Sequence, residues 1–264
     1  MALSKRGSSL RPPFLKQLSF DRSKGGGEEA YPFSVPLFRK SFNLSFSQPV
    51  TIFTGENGTG KSTLLEFIAH SCGFNIYGGS RNHLYKAHEN QSLDYLCDLA
   101  KACKLSWLPK VSKGFFMRAE TFFNFMEKVH YDLDGYDPGF LEQCYGGDLF
   151  QRSHGESFLS FFSHQLDRQG IFLFDEPESA LSPARQLEFL RLLKKVADSE
   201  KGQIIMVTHA PLLMALPGAE LLSFTHRGMA PTTLEQTSHF QLLEKFFHDP
   251  HRFIDKTLQN TDEE

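Results

Sequence analysis

The stretch GENGTGKS at residues 55–62 combines glycines, a lysine and a hydroxyl at the spacing G-x-x-x-x-G-K-[ST]. That pattern suits a phosphate chain. Gly55, Gly58 and Gly60 allow backbone N–H groups to turn inward around anionic oxygens, with Glu56, Asn57 and Thr59 completing the loop. Lys61 brings a compact positive charge to the β- and γ-phosphates of a nucleotide such as ATP. Ser62 offers a hydroxyl to Mg²⁺. With Thr63 it opens a helix whose positive end faces the anion.

Two further stretches carry matching chemistry. IFLFDEPE (171–178) is an apolar run that ends in paired carboxylates. Asp175 is placed to hold Mg²⁺ through water, and Glu176 to polarise an attacking water. Side by side behind a buried strand the two would repel each other, so the pair makes more sense with a cation. QIIMVTHA (203–210) repeats the design and delivers His209 to a strand tip. A histidine there can hydrogen-bond a γ-phosphate or the attacking water. Between the loop and the acidic strand lies SHGES (153–157), whose Ser153 and Glu156 spell an S-x-x-E helix cap.

These residues need elements to position them. SFNLSFSQPVTIFT reads as a strand entering the glycine-rich loop, and STLLEFIAHSC as the helix leaving it. Residues 91–105 and 115–130 have helical spacing, residues 74–90 and 131–152 read as loop, and a helix starts near Glu156. IFLF, QIIMVTH and AELLSFT are strands. A helix runs from about Pro183 to Ala197, with proline in the first turn, and another region is helical from about 238. Strands separated by helices imply an α/β fold with a mainly parallel sheet flanked by helices.

Composition bounds the rest. The chain has 264 residues, 40% of them hydrophobic, so one large domain with its own core is expected. Phe is abundant at 27 copies, which points to an aromatic core, with 115–125 as an alternative partner-binding lobe. A net charge of −3 supplies no global basic field for nucleic acid. Four cysteines without CxxC pairing fit reduced thiols in the cytoplasm. Residues 1–28, basic at the start and followed by glycines, read as a mobile tail. Residues 29–264 read as a single domain with a helical insertion at about 85–152.

The order of phosphate loop, SHGES, acidic strand and histidine strand resembles the ATP-binding-cassette (ABC) ATPases. GFFMRAETFFN, SHGESF, LFDEPESALSP and THAPLLMALPGA narrow the likeness to compact bacterial ATPases of the RecF and structural-maintenance-of-chromosomes branch, with AAA-like character. The resemblance implies a P-loop fold and Mg²⁺-dependent hydrolysis of ATP. It also implies that Ser153, Gly155 and Glu156 stand for a signature motif, which caps the γ-phosphate bound to a second copy. Two composite sites in an ATP-dependent homodimer follow.

The departures are specific. His154 replaces a signature glycine, and Ser182 stands where transporters commonly have aspartate. No glutamine occupies the lid-loop position, for which Arg118 and Glu120 are both candidates. Tyr31, Phe33 and Phe38 are candidates for the adenine contact. The stretch between Lys61 and Ser153 has no heptads, so no long coiled-coil arm is expected. The effector of such a switch would be DNA or another protein. A transporter subunit, a P-loop kinase and a static ATP-binding module are the competing readings.

Overall fold

In a computed structural model, residues 11–81, 93–122, 124 and 154–259 are described. Among them, three strands form the centre of the molecule. These are β3 (Val50–Gly55), β6 (Gly170–Asp175) and β7 (Gly202–Val207), and all six residues of each are buried. Such continuous apolar runs can exist only where both faces of a sheet are covered. With β5 (Gly114–Arg118), β8 (Glu220–Thr225) and β9 (Gly228–Pro231) they make a six-stranded sheet in the order β5-β6-β7-β3-β8-β9. All pairings are parallel except that of β8 with β9, a hairpin turning at His226 and Arg227, one residue before the expected Arg227–Gly228. The α/β, mainly parallel architecture is as expected.

Strand alternation divides the core into two layers. Phe53, Ile171, Leu173, Ile205 and Val207 face one side and pack with α1 (Lys61–Cys72) and α2 (Asp94–Ala102). Ile52, Phe172, Phe174, Ile204 and Met206 face the other. There they meet α3 (His154–Gln165), α4 (Pro183–Ser199) and α5 (Pro211–Met214). Phe fills both layers, and in the second it forms one contiguous cluster of rings. Phe162 is fully buried and packs within 6.3 Å, centroid to centroid, of Phe115, Phe122, Phe158, Phe161, Phe174 and Phe189. Phe115, Phe116 and Phe122 are therefore core, and not an exposed lobe.

Several sequence expectations are corrected. Part of the expected mobile tail is a strand, β1 (Leu15–Phe20), at the centre of a three-stranded antiparallel sheet with β2 (Phe42–Ser45) and β4 (Cys103–Trp107). Its Leu15, Leu18 and Phe20 are buried. The side chain of Gln203, at the start of β7, binds it to the main sheet. Gln203 Oε1 accepts from the N–H groups of Phe14 and Leu15, both at 2.8 Å, and its amide donates to Leu15 O at 3.1 Å. SFNLSFSQPVTIFT is two strands in two sheets. The helix expected at 91–105 stops at Ala102, and 114–118 is strand, because its run GFFMR must fill a buried sheet position. The remainder of the expected 85–152 insertion falls largely outside the described residues. At the C-terminus, α6 (Ser238–His248) and α7 (Pro250–Gln259) follow the sheet.

The phenylalanine cluster makes one expectation concrete. Phe162→Ala removes a ring from a fully packed layer and should cost about 3–5 kcal/mol. The check is a fall in the urea midpoint with an unchanged slope.

Candidate functional site

The glycine-rich loop leaves β3 at its carboxyl end. Gly55 and Gly60 adopt φ of 119° and 106°, conformations closed to ordinary side chains. A Cβ at Gly55 would also lie 2.1 Å from the carbonyl of Phe224 on β8. Lys61 Nζ donates to Gly55 O at 3.0 Å and to Glu56 O at 2.6 Å, and Thr59 Oγ1 donates to Glu56 O at 2.8 Å. The lysine is thus folded back across its own loop. Burial lowers its pKa, opposed by the nearby carboxylates of Glu176, Asp175 and Glu56. Asn57, Gly58, Thr59, Gly60, Lys61, Ser62 and Thr63 line a cavity of about 340 Å³ with Tyr31, Val35 and Glu176. Of the three aromatic candidates, Phe33 and Phe38 are buried in the core. Tyr31 lines the cavity and shares a 2.9 Å hydrogen bond with Thr63 Oγ1.

Strand β6 delivers Asp175 to the same place. Ser62 Oγ donates to Asp175 Oδ1 at 3.0 Å, so the loop hydroxyl and the strand-end carboxylate meet across a gap of 113 residues in sequence. Burial pushes the Asp175 carboxyl up to about 6, although Arg118 and the Ser62 hydrogen bond both pull it down. A buried carboxylate this poorly compensated, beside a hydroxyl and a phosphate-binding loop, is a donor set that fits Mg²⁺ carried in with a nucleotide. It does not fit a metal held by protein alone: among the described residues, no cluster of three or more metal-ligating side chains exists.

Among the described residues, Arg118 is the cation within ion-pairing distance of this carboxylate. It ends β5, in register with Asp175, with Nε 3.7 Å from Asp175 Oδ2. Its Nη1 donates to Glu66 on α1 at 2.6 Å. Glu66 also accepts from Tyr95 Oη at 2.6 Å. Of the two lid-loop candidates, Arg118 therefore reaches the site, whereas the Glu120 side chain is 83% exposed.

Glu176 follows Asp175 with φ 50°, a left-handed conformation uncommon for a side-chain-bearing residue. Its N–H donates to Val207 O at 3.0 Å, continuing the β6–β7 ladder past the end of the strand. Two residues on, Glu178 pins the neighbouring strand tip. It accepts from Thr208 Oγ1 at 2.8 Å and from the backbone N–H of His209 at 2.6 Å. Burial raises the Glu178 pKa, and these hydrogen bonds counter it. His209 is held with Nε2 3.6 Å from Glu176 Oε1. Burial, Lys61 and His239 push its pKa down to about 4, so the ring is neutral at physiological pH. Its Nδ1 lies 2.9 Å from Nε2 of His239, on α6.

The SHGES segment is only partly described. Ser153 lies outside the described residues. Gly155 and Glu156 sit in the first turn of α3, and neither lines the cavity of its own chain. Glu156 pairs with Arg185 Nη2 at 2.7 Å, and Arg185 also binds Glu188. Ser182 caps α4 by accepting from Arg185 N at 3.4 Å, a role open to serine as to aspartate.

Sequence reasoning did not single out Glu66, Glu178, His239 or Arg185. For Glu178 a signal existed, since it stands within the DEPE run. The other three carry no motif, and only the fold brings them to their partners.

Several known proteins are similar to this chain. A family model described as "AAA domain" matches residues 34–95. A second, described as "AAA domain, putative AbiEii toxin, Type IV TA system", matches residues 149–215. The hemin import ATP-binding protein HmuV of Vibrio anguillarum is 28% identical over 196 residues, covering 69% of this chain and 73% of the relative. The thiamine import ATP-binding protein ThiQ of Photobacterium profundum is 41% identical over 63 residues, 24% of this chain and 26% of the relative. Among solved structures, a dimeric bacterial ABC transporter cassette has a TM-score of 0.48 at 17% identity, covering 83% of this chain and 100% of that one. The chain is thus similar to ATP-binding proteins of the ABC type and, over two stretches, to AAA domain models.

The raised Asp175 pKa has a testable sign. The folded protein keeps this proton up to about pH 6, whereas a free aspartate, at 3.8, has already lost it. Nucleotide-free stability should therefore fall as pH rises between those values and stay reduced above them. Asp175→Asn should raise the melting temperature at pH 7.5 by about 2–6 °C. At pH 4 and below the gain should vanish, as read by calorimetry in the absence of Mg²⁺ and nucleotide.

Proposed function

We propose that the chain binds and hydrolyses ATP, and that ATP closes two copies head-to-tail. One observation carries this reading. The loop bearing Lys61, the Asp175–Glu176 pair and His209 follow the carboxyl ends of three adjacent parallel strands; Lys61, Ser62 and Glu176 line one cavity, Asp175 touches Ser62, and His209 lies 3.6 Å from Glu176. A phosphate loop alone would support only binding. A carboxylate and a neutral histidine beside it add the means to handle water.

The chain's own groups divide the work. The loop N–H groups and the positive end of α1 hold the β- and γ-phosphates. Lys61 exchanges the carbonyls of Gly55 and Glu56 for phosphate oxygens. Ser62 and Asp175 would hold Mg²⁺, which supplies charge neutralisation on the phosphate oxygens. Glu176 orients the attacking water and accepts its proton as oxygen bonds to the γ-phosphorus and the bond to the bridging oxygen breaks. ADP and phosphate are the products. His209, uncharged, donates a hydrogen bond to the γ-phosphate. Ser153, Gly155 and Glu156 belong to the site of the opposite copy, consistent with Gly155 and Glu156 lying away from the cavity of their own chain. We assign the protein to the cytoplasm; among the described residues no helix is long and apolar enough to cross a membrane.

Two effectors are in view. The RecF-like wording and an arginine at the lid position favour coupling to DNA or to a soluble protein. The ATP-binding subunit of an importer is the second reading, favoured by the names of the matched relatives, which are import ATP-binding proteins. Stimulation of turnover by DNA would favour the first. Co-purification with a membrane-spanning partner would favour the second.

Glu176→Gln should lower turnover about 10²–10⁴-fold while ATP binding persists. By light scattering, this variant should move from monomer to dimer only when Mg-ATP is added. A mass indifferent to ATP, with binding confirmed, would overturn the switch. The trans role has its own test. Ser153→Arg and Lys61→Ala should each be inactive. Mixed, they should recover activity, because one of the two composite sites then has both working halves.

A further inference from the structure

His239 belongs to no motif, yet it touches the histidine at the tip of β7. It stands in the first turn of α6, a helix capped by Thr237, whose Oγ1 accepts from Phe240 N at 3.3 Å and donates to Leu234 O at 2.7 Å. That cap fixes where the ring projects. The His239 and His209 rings lie 4.8 Å apart, with His239 Nε2 and His209 Nδ1 at 2.9 Å.

The hydrogen count at this contact is constrained from both ends. One hydrogen must lie between the two nitrogens, because two lone pairs would repel at that distance and two N–H groups would clash. On the far side of His209, Nε2 faces the Glu176 carboxylate at 3.6 Å, and an acceptor there favours a hydrogen on Nε2. A neutral imidazole carries a single N–H, so His209 Nδ1 is then bare. On the far side of His239, Nδ1 is buried and has no hydrogen-bond partner among the described residues. A hydrogen on that atom would be an orphaned donor, so a neutral His239 carries its hydrogen on Nε2. Both ends give the same arrangement. Burial and Lys61 lower both pKa values, which supports two uncharged rings.

We infer that His239 is a positioning residue for the ATPase site: it donates Nε2–H to His209 Nδ1 and so fixes the His209 hydrogen on Nε2, facing Glu176 and the γ-phosphate. The catalytic consequence rests on the proposed hydrolysis, but the placement of the hydrogens does not. In the opposite tautomer His209 would present a lone pair to a phosphate oxygen and to a carboxylate, and both contacts would be repulsive. His239 acts only through His209. It also links the strand tip to the C-terminal helix pair.

The experiment is nitrogen-15 NMR of the full-length protein labelled at histidine. His209 signals are assigned by their loss in His209→Gln. The expected wild-type spectrum shows His209 neutral, with Nε2 protonated and Nδ1 bare. His239→Phe keeps a ring but removes the donor. It should give a mixture of His209 tautomers and lower kcat by roughly tenfold or more, with KM for ATP little changed. His239→Gln, whose side-chain amide can donate from nearly the same position, should restore both the tautomer and most of kcat. A wild-type His209 protonated on Nδ1 overturns the inference, whatever the variants do. So does an unchanged tautomer in a folded His239→Phe. The wild-type spectrum decides even if that variant does not fold. An Nε2–H tautomer in a protein that hydrolyses no ATP would leave the inference standing and remove the proposed function. Glu176-dependent turnover with an Nδ1–H tautomer would do the reverse.

Discussion

The parallel ladder that joins β3 to β7 and β7 to β6 sets where Asp175, Glu176 and His209 stand relative to the glycine-rich loop. Its register pairs Phe53 with Val207 and Val207 with Asp175. A strand advances about 3.3 Å per residue and alternates faces. A slip of one residue would therefore both displace Asp175 from Ser62 and turn its side chain into the opposite core layer. The ladder is continued beyond the strands by Glu176 N to Val207 O and by Thr208 N to Phe53 O. Those two bonds extend the order of the sheet into the segment where water and phosphate would meet. Glu178 adds a side-chain tie between the same two strand ends. Because both faces of β3, β6 and β7 are covered, the register is fixed by packing from two directions at once.

The electrostatic problem that follows is concentrated on Asp175. It is nearly fully buried and, among the described residues, has a hydrogen bond from Ser62 and the Arg118 guanidinium at the edge of ion-pairing distance. Arg118 is itself held more closely by Glu66, which Tyr95 in turn anchors. The chain Tyr95–Glu66–Arg118–Asp175 runs from α2 through α1 and β5 to β6. It places a positive charge near the carboxylate without satisfying it. A dissatisfied buried charge of this kind is strain held in place by the surrounding fold. The left-handed backbone of Glu176, next along the chain, is a second instance.

What could be read in the sequence follows from how local each feature is. The phosphate loop, the Asp175–Glu176 pair and His209 sit at the ends of continuous apolar runs, and a buried strand fixes where its last residue must emerge. The parallel sheet was legible for the same reason. Strand β1 was not, because LKQLSF lies among basic residues and its stabilising partner Gln203 is 188 positions away. The segment CKLSW followed α2 with no breaker between, so helical spacing ran on into a strand. Phe115–Met117 has the composition of either element, and only its place beside β6 decides. His239 lies on an amphipathic helix and offers no pattern at all. Its relation to His209 exists only once the C-terminal segment has crossed back to the tip of β7.

The Gln203 carboxamide limits how the start of this chain can be edited. Among the described residues its oxygen and nitrogen, sealed from water, are satisfied by the backbone of Phe14 and Leu15. Trimming that removes only residues ahead of Phe14 leaves those bonds intact. Trimming past Leu15 would strand an amide in apolar surroundings, at a cost of about 1–3 kcal/mol for each unmet group, and would remove the middle strand of the smaller sheet. Any change that reaches Phe14 or Leu15 is therefore felt in the main sheet as well as the smaller one.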